Sequence, residues 1–264
     1  MESQDEAVRL DMKTDPESLQ KQALWCGVKP GLRVLDLGCG AGKTSFLLHE
    51  MVKPSGSVVG IDYSSARIDH ARKHYGAKEG IDFLVRDLTE PFDDIEPFDI
   101  IWVRFVLEYY RRESLGIVNN LKKLLKPGGY LCLLDLDINC LGHYELPSDI
   151  ADLLPKLMTK LDRDYNFDTY AGRKLYSYLY DAGYEDIQME LMAHHLIYGE
   201  PRDVDIFNWM KKLEIANSQF QDFFECYHGG YDAFFSDFKK FFSDPRRFTY
   251  TPLILSKGRR PLSD

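Results

Sequence analysis

The sequence predicts an α/β fold, a mostly parallel sheet with helices on both faces, and three observations carry that expectation. Short runs rich in Val, Ile and Leu recur through the first half, each bounded by turn residues and followed by a stretch of helical periodicity. The first run, Val34 to Leu37, ends in Gly38, Gly40 and Gly42 on alternate positions, the tip of a βα unit whose backbone passes close to something. A chain of 264 residues with 44% hydrophobic content can bury a substantial core as one enlarged domain.

Pro16 to Cys26 carries Leu19, Ala23, Leu24 and Cys26 at helical spacing, with Asp15 as the cap and Pro16 at the first helical position. The first strand runs near Arg33 to Leu37, and a helix follows over Thr44 to Met51. Ser55 to Ser57 turn the chain into a second strand, Val58 to Asp62, and a helix spans Ser65 to Tyr75. The third strand covers Ile81 to Val85 and the fourth Ile100 to Val103. Arg112 to Leu125 is amphipathic through Leu115, Ile117, Val118, Leu121 and Leu125, so it packs on the sheet. Pro127 and Gly128 make a turn into the fifth strand, Tyr130 to Leu136. A helix over Gly172 to Ala182, closed by Gly183, precedes a sixth strand at Ile187 to Ile197, and Phe248 to Ser256 is the seventh.

The glycine loop discriminates between ligands. A dinucleotide fingerprint from Gly38 needs a third Gly where Lys43 stands, and a phosphate loop ending in Gly42, Lys43 and Thr44 needs a Gly where Leu37 stands. What remains, D-x-G-x-G-x-G after a buried strand, resembles motif I of the class I S-adenosylmethionine (SAM)-dependent methyltransferases. VVGID at 58–62, IDFLVRD at 81–87, FDIIWV at 98–103 with RFVLEYY behind it, and LKPGGY at 125–130 fall in that family's order. The chain is therefore identified as similar to the small-molecule (type 11) branch of that family. The resemblance implies a seven-stranded Rossmann-like sheet, its seventh strand antiparallel, and SAM as the cofactor, released as S-adenosylhomocysteine.

Asp62 lies about 20 residues after Gly42, where an acid can accept hydrogen bonds from both ribose hydroxyls. By resemblance, Gly38, Cys39, Gly40 and Gly42 approach the methionyl part and Asp36 orients the loop. Tyr63 stands beside the ribose acid, Asp87 with Leu88 faces the adenine amino group, and Arg104 with Phe105 lines the adenine. Arg104 reaches a carboxylate, or alternatively pairs with Glu108 at i+4. Arg9, in the leader EAVRLDMKTDP, folds over the methionine portion as such leaders do in relatives.

The expected organisation is a single domain over 1–264. Its core is 16–137, 172–197 and 248–258, and two lid insertions occupy 138–171 and 198–247. The first insertion leaves the carboxyl end of a strand, where open α/β sheets place their ligand crevice, so it is expected to roof the site. The insertions hold Tyr144, Tyr165, Phe167 and Tyr170, then a longer aromatic series from Phe207 and Trp209 to Phe241 and Phe242. Either these pack the faces of lid helices, or some wall an acceptor pocket or cage an amine by cation–π contact.

A sulfonium is already activated, so methyl transfer is an in-line displacement helped by positioning and by removal of water. A hydroxyl or charged amine acceptor also needs a base, for which Glu108, His143, His194 and His195 are candidates, with Glu108 and His143 preferred. Glu108 follows the fourth strand and otherwise pairs locally; His143, in LGHYELP, is otherwise a loop histidine. Strand alternation puts His194 and His195 on opposite faces, and His49, His70 and His74 are expected to face solvent. No set of histidines and cysteines has zinc-ligand spacing, so no metal is expected.

A net charge of −9 argues against nucleic acid as partner, and Lys257, Arg259, Arg260, Arg246 and Arg247 read as a solvated edge. A small-molecule acceptor fits better. Five cysteines in an odd number, no signal-peptide pattern and no membrane-length apolar run point to a cytoplasmic protein. Oligomeric state is left open. The competing readings are a SAM-binding sensor without turnover, a nucleotide hydrolase, and a tRNA or protein methyltransferase.

Overall fold

Asp15 opens the first helix of the computed structural model, which describes residues 15–90 and 94–263. Its carboxylate accepts the backbone N–H groups of Glu17 and Ser18 at 3.3 and 3.2 Å, which satisfies donors that a helix start leaves unpaired. In chain order follow α1 (Pro16–Cys26), β1 (Arg33–Leu37), α2 (Lys43–Val52), β2 (Ser57–Asp62), α3 (Ser65–Tyr75), β3 (Ile81–Val85) and β4 (Phe98–Arg104). A 3₁₀ turn at Leu107–Tyr109 leads to α4 (Ser114–Lys123) and β5 (Leu125–Leu136). Then come β6 (His143–Tyr144), α5 (Ser148–Tyr165), α6 (Leu175–Asp181), β7 (Glu185–Tyr198), α7 (Asp203–Gln219), α8 (Gly230–Ser243) and β8 (Phe248–Arg259).

The strands lie in the order β3-β2-β1-β4-β5-β8-β6, with β7 beside β8. β1 pairs in parallel with β2 and β4, β2 with β3, and β4 with β5, whereas β6 and β8 are antiparallel. Central strands covered on both faces read as continuous Val/Ile/Leu runs, which is why β1, β2 and β4 were legible. Two details differ from expectation. The Pro127–Gly128 turn lies inside β5, where the register on β4 jumps between Phe98 and Ile100. The chain bulges out of the ladder there, and Gly128 N–H donates to the Arg260 carbonyl at 3.1 Å. An eighth strand, β6, has only two residues, too few for any periodicity.

The chain divides into two compact units. Among the described residues the first comprises 15–90, 94–135, 171–191 and 254–263, and its core joins Leu35, Leu37, Ile61, Ile101, Val103, Leu131 and Leu133 to helix residues such as Ile117, Leu121 and Leu175. The second comprises 136–170 and 192–253. Its core sets Ile150, Leu153, Leu154 and Leu157 of α5 with Trp209, Phe224, Phe234, Phe238 and Phe242. Most aromatic residues of this unit are thus packing, while Tyr144, Tyr165, Tyr170 and Phe207 are exposed. Phe223 and Phe224 fall in a 3₁₀ segment, Gln221–Cys226, between α7 and α8.

Candidate active site

The loop after β1 is stitched to the end of β2. Gly38 and Cys39 both donate N–H groups to the Ile61 carbonyl, at 2.7 and 2.9 Å, and Gly40 N–H donates to Asp62 Oδ2 at 2.9 Å. Asp62 Oδ1 accepts the Ser64 N–H at 3.0 Å and lies 3.6 Å from the Arg67 guanidinium. The acid expected at the ribose therefore also fixes the shape of the glycine loop.

The glycines have a reason that spacing alone did not reveal. Gly38 has φ +75°, and a Cβ there would lie 2.4 Å from Val106 Cγ2. Gly42 has φ +92°, and a Cβ would lie 2.6 Å from that of Ala71 and 3.0 Å from the Phe83 ring. At these two positions the missing side chain makes room for the protein itself and permits left-handed backbone. Cys39 is buried, and burial together with Asp36 and Asp62 pushes its thiol pKa up, so it is an inert loop residue.

Asp36 lies beneath the loop and takes a hydrogen bond from Ser45 Oγ at 2.6 Å. Burial raises its carboxyl to about 7, against the opposing pull of Ser45 and Arg104. Arg104 donates from Nε to Gln22 Oε1 at 2.9 Å, and its guanidinium stacks 4.0 Å from the Phe105 ring centroid. The expected carboxylate partner is electrostatic: Asp36 and Asp135 act on Arg104, whose pKa burial lowers to about 10. Phe105 has φ +59°, a backbone state that costs a non-glycine residue energy and recurs at ligand sites. Glu108 is buried in the turn after β4, and its N–H donates to Asp135 Oδ2 at 3.1 Å.

At the end of β3, Asp87 Oδ1 accepts both the N–H and hydroxyl of Thr89, at 2.9 and 2.7 Å, which lowers its pKa. Leu88 is buried behind it, while Tyr63 is 50% exposed beside Arg67. Tyr110 joins these pieces. Burial raises its phenol to about 12, with Asp87, Tyr63 and Asp62 adding to the rise. Tyr110, Gln22 and Ser45 were missed from sequence. Tyr110 stood within RFVLEYY without a distinguishing pattern, Ser45 reads as ordinary helix, and Gln22 meets Arg104 only through tertiary folding.

In the second unit, His143 Nδ1 lies 2.9 Å from Thr249 Oγ1, its partner across the β6–β8 ladder. Trp209, Phe238 and Phe241 surround its ring at centroid distances of 4.8, 5.7 and 5.6 Å. Burial, with Lys212 and Arg247, lowers its pKa to about 4, so the imidazole is neutral at pH 7. The rings of His194 and His195 are only 4.2 Å apart, so the expected opposite-face alternation fails there. His49, expected to face solvent, is 2% exposed.

A model of the methyltransferase domain family matches residues 28–215, well over half of the chain and all of the segments just described from β1 to Tyr110. The chain belongs to the class I SAM-dependent methyltransferases. The chloroplastic 2-phytyl-1,4-beta-naphthoquinone methyltransferase of Arabidopsis thaliana is 36% identical over 121 residues, 43% of this chain and 45% of that protein. The match thus spans under half of that relative's length. A Bacillus halodurans protein described as a methyltransferase superposes with TM-score 0.59 at 20% identity, covering 93% of this chain and 99% of that one. Haemonchus contortus phosphoethanolamine N-methyltransferase 2, solved with phosphomonomethylethanolamine and S-adenosylhomocysteine, gives 0.58 at 17% identity, covering 93% and 52%. At these identities the two structures show the fold.

For this methyltransferase, the five basic residues near the C-terminus are all engaged, Arg246 in an exposed surface pair as expected and Arg247 buried against expectation. Lys257 donates to the Trp25 carbonyl, Arg259 pairs with Glu185 and Asp186, and Arg246 pairs with Glu145. Arg260 binds the Leu125 carbonyl, and the buried Arg247 binds the carbonyls of Phe242, Ile197 and Gly199. Among the described residues no group of three or more His, Cys, Asp or Glu is placed to hold a metal ion, and no helix is long and apolar enough to cross a membrane. Arg9 lies outside the described residues.

Proposed function

We propose that this methyltransferase holds SAM against the loop after β1 and the ends of β2 and β3, and transfers its methyl group to a small-molecule acceptor, releasing S-adenosylhomocysteine. The observation that carries this reading is the Gly40–Asp62 bond, which fixes an acid and the glycine turn together inside the family-matched segment. The residues fit the cofactor. A carboxylate offers about four lone-pair positions, so Asp62 keeps acceptor capacity for ribose hydroxyls beyond its bonds to Gly40 and Ser64. Asp87 spends only Oδ1 on Thr89, leaving Oδ2 to accept from an adenine amino group. Tyr63 and Leu88 give the base apolar surface, with Phe105 and Arg104 at its border. Gly38, Cys39, Gly40 and Gly42 are assigned to the methionyl part, Asp36 to the loop's support, and Arg9 to a cover over it.

SAM supplies an activated methyl sulfonium; the protein's work is to position it, exclude water and accept a proton where the acceptor carries one. Glu108 and His143 remain the candidate bases. His143, neutral and of low proton affinity, takes a proton only from an acidic acceptor group. The chain is assigned one methyltransferase domain in which segments 138–171 and 198–247 carry acceptor selection. The engaged basic residues favour a small acceptor over nucleic acid, and five free cysteines favour a reducing, cytoplasmic compartment. The test is S-adenosylhomocysteine formation, followed by mass spectrometry, with a panel of small hydroxyl, amine, thiol and carbon acceptors. Turnover that vanishes in Asp62→Ala supports the reading; SAM binding without turnover on any acceptor favours a sensor.

A further inference from the structure

The second unit gathers polar nitrogens that its aromatic packing leaves unanswered. Trp209 is 3% exposed, and its indole N–H is buried without an acceptor among the described residues. His143, edge-on to that indole at 4.8 Å, has a buried Nε2 equally without a partner, while Thr249 holds the other ring nitrogen. Lys212, three residues beyond Trp209 on α7, places Nζ 4.4 Å from the indole centroid and 3.6 Å from Cys140 Sγ. The neighbouring acids are engaged elsewhere: Asp205 with Arg202, and Glu214 with Lys211. No ion pair among the described residues involves Lys212. An unmet buried polar group costs about 1–3 kcal/mol, and most buried polar groups in native interiors have a partner.

We propose that Trp209 Nε1, Lys212 Nζ and His143 Nε2 form an anion subsite within the second unit that takes a carboxylate or phosphate oxygen of a small-molecule ligand. The geometry disfavours the opposite choice, an amine in an aromatic cage, because Lys212 already occupies the face of Trp209 and a second cation there meets like charge. The electrostatics agree: burial first, with Lys212 and Arg247 adding to it, disfavours a proton on His143. An anion reverses that balance. It supplies the acceptor that the Trp209 N–H lacks and a counter-charge for Lys212, and it favours a proton on His143 Nε2; charge-assisted hydrogen bonds of this kind are stronger than neutral ones.

Trp209 itself reports the test. The full chain is titrated with benzoate, phenyl phosphate, benzyl alcohol and benzylamine while tryptophan emission is followed, with Trp209→Phe identifying the responding indole. The expected result is a saturable response to benzoate or phenyl phosphate, at least about ten-fold tighter than to the alcohol or amine. Lys212→Met should abolish that preference and Lys212→Arg should retain it, with near-ultraviolet circular dichroism verifying the fold of each. The tighter of the two anions identifies the source, carboxylate or phosphate. Equal affinity for alcohol and anion, preference for the amine, or an unchanged preference in Lys212→Met overturns the proposal. SAM calorimetry on the same samples separates the two readings: intact SAM binding without anion preference removes the subsite alone. Anion preference without SAM binding supports the subsite and contradicts the proposed function.

Discussion

Gly38 shows how much a single absent methyl group decides. An alanine there meets Val106 Cγ2 at 2.4 Å and also has to adopt φ +75°. Gly38→Ala is expected to destabilise the fold by about 2–4 kcal/mol in urea denaturation, and Val106→Ala in the same chain to recover part of it. Recovery is the informative outcome, because a loop glycine kept only for ligand approach gains nothing from trimming Val106. Asp36 carries a pH signature. Its folded carboxyl, near 7, holds a proton more tightly than the unfolded group at 3.8, so its stabilising contribution is full below about pH 4 and is lost as pH rises through 7. Asp36→Asn should remove that dependence, a difference of up to about 4 kcal/mol against wild type across the window. His143 runs the other way. Its folded pKa of about 4 lies below the unfolded 6.5, so its contribution is full above 6.5 and is lost as pH falls through 4. Thermal midpoints of His143→Gln relative to wild type should therefore converge with acidification, the gap shrinking by up to about 3 kcal/mol.

At the scale of elements, Arg247 is the clearest fixed point of the second unit. Its guanidinium donates to carbonyls at the end of α8 and around the end of β7, at 2.7, 2.9 and 3.3 Å, with 2% of its surface exposed. Arg247→Met keeps the packing volume but orphans these carbonyls. It should cost about 2–5 kcal/mol and speed amide exchange first at 239–243 and 196–199. The sequence made such elements legible unevenly. β1, β2 and β3 were read to within a residue because buried parallel strands leave dense apolar runs. Pro127–Gly128 reads as a turn in one dimension but lies in a bulge held by Arg260, a contact from the far end of the chain. Arg247 read as one more solvated charge, since nothing local tells a buried arginine from an exposed one. The adjacency of the His194 and His195 rings breaks the period-two rule that placed them apart.

At the scale of the molecule, two hydrophobic cores coexist in one chain, and only the first contains the family's motif segments. The site residues named from motif I and the two later acids were legible because backbone geometry constrains them. Tyr110, Gln22 and Lys212 were not, because their roles arise from side chains meeting across distant segments. Addition of S-adenosylhomocysteine should accordingly slow hydrogen exchange most at 37–43, 60–64 and 85–89, within the first unit. The most direct measurement is calorimetric titration of the full chain and its Asp62→Ala variant with SAM and S-adenosylhomocysteine. The account predicts saturable one-to-one binding to the wild type and at least about ten-fold weaker binding to the variant. Absence of heat with both ligands, or a variant that binds as tightly as wild type, would contradict it.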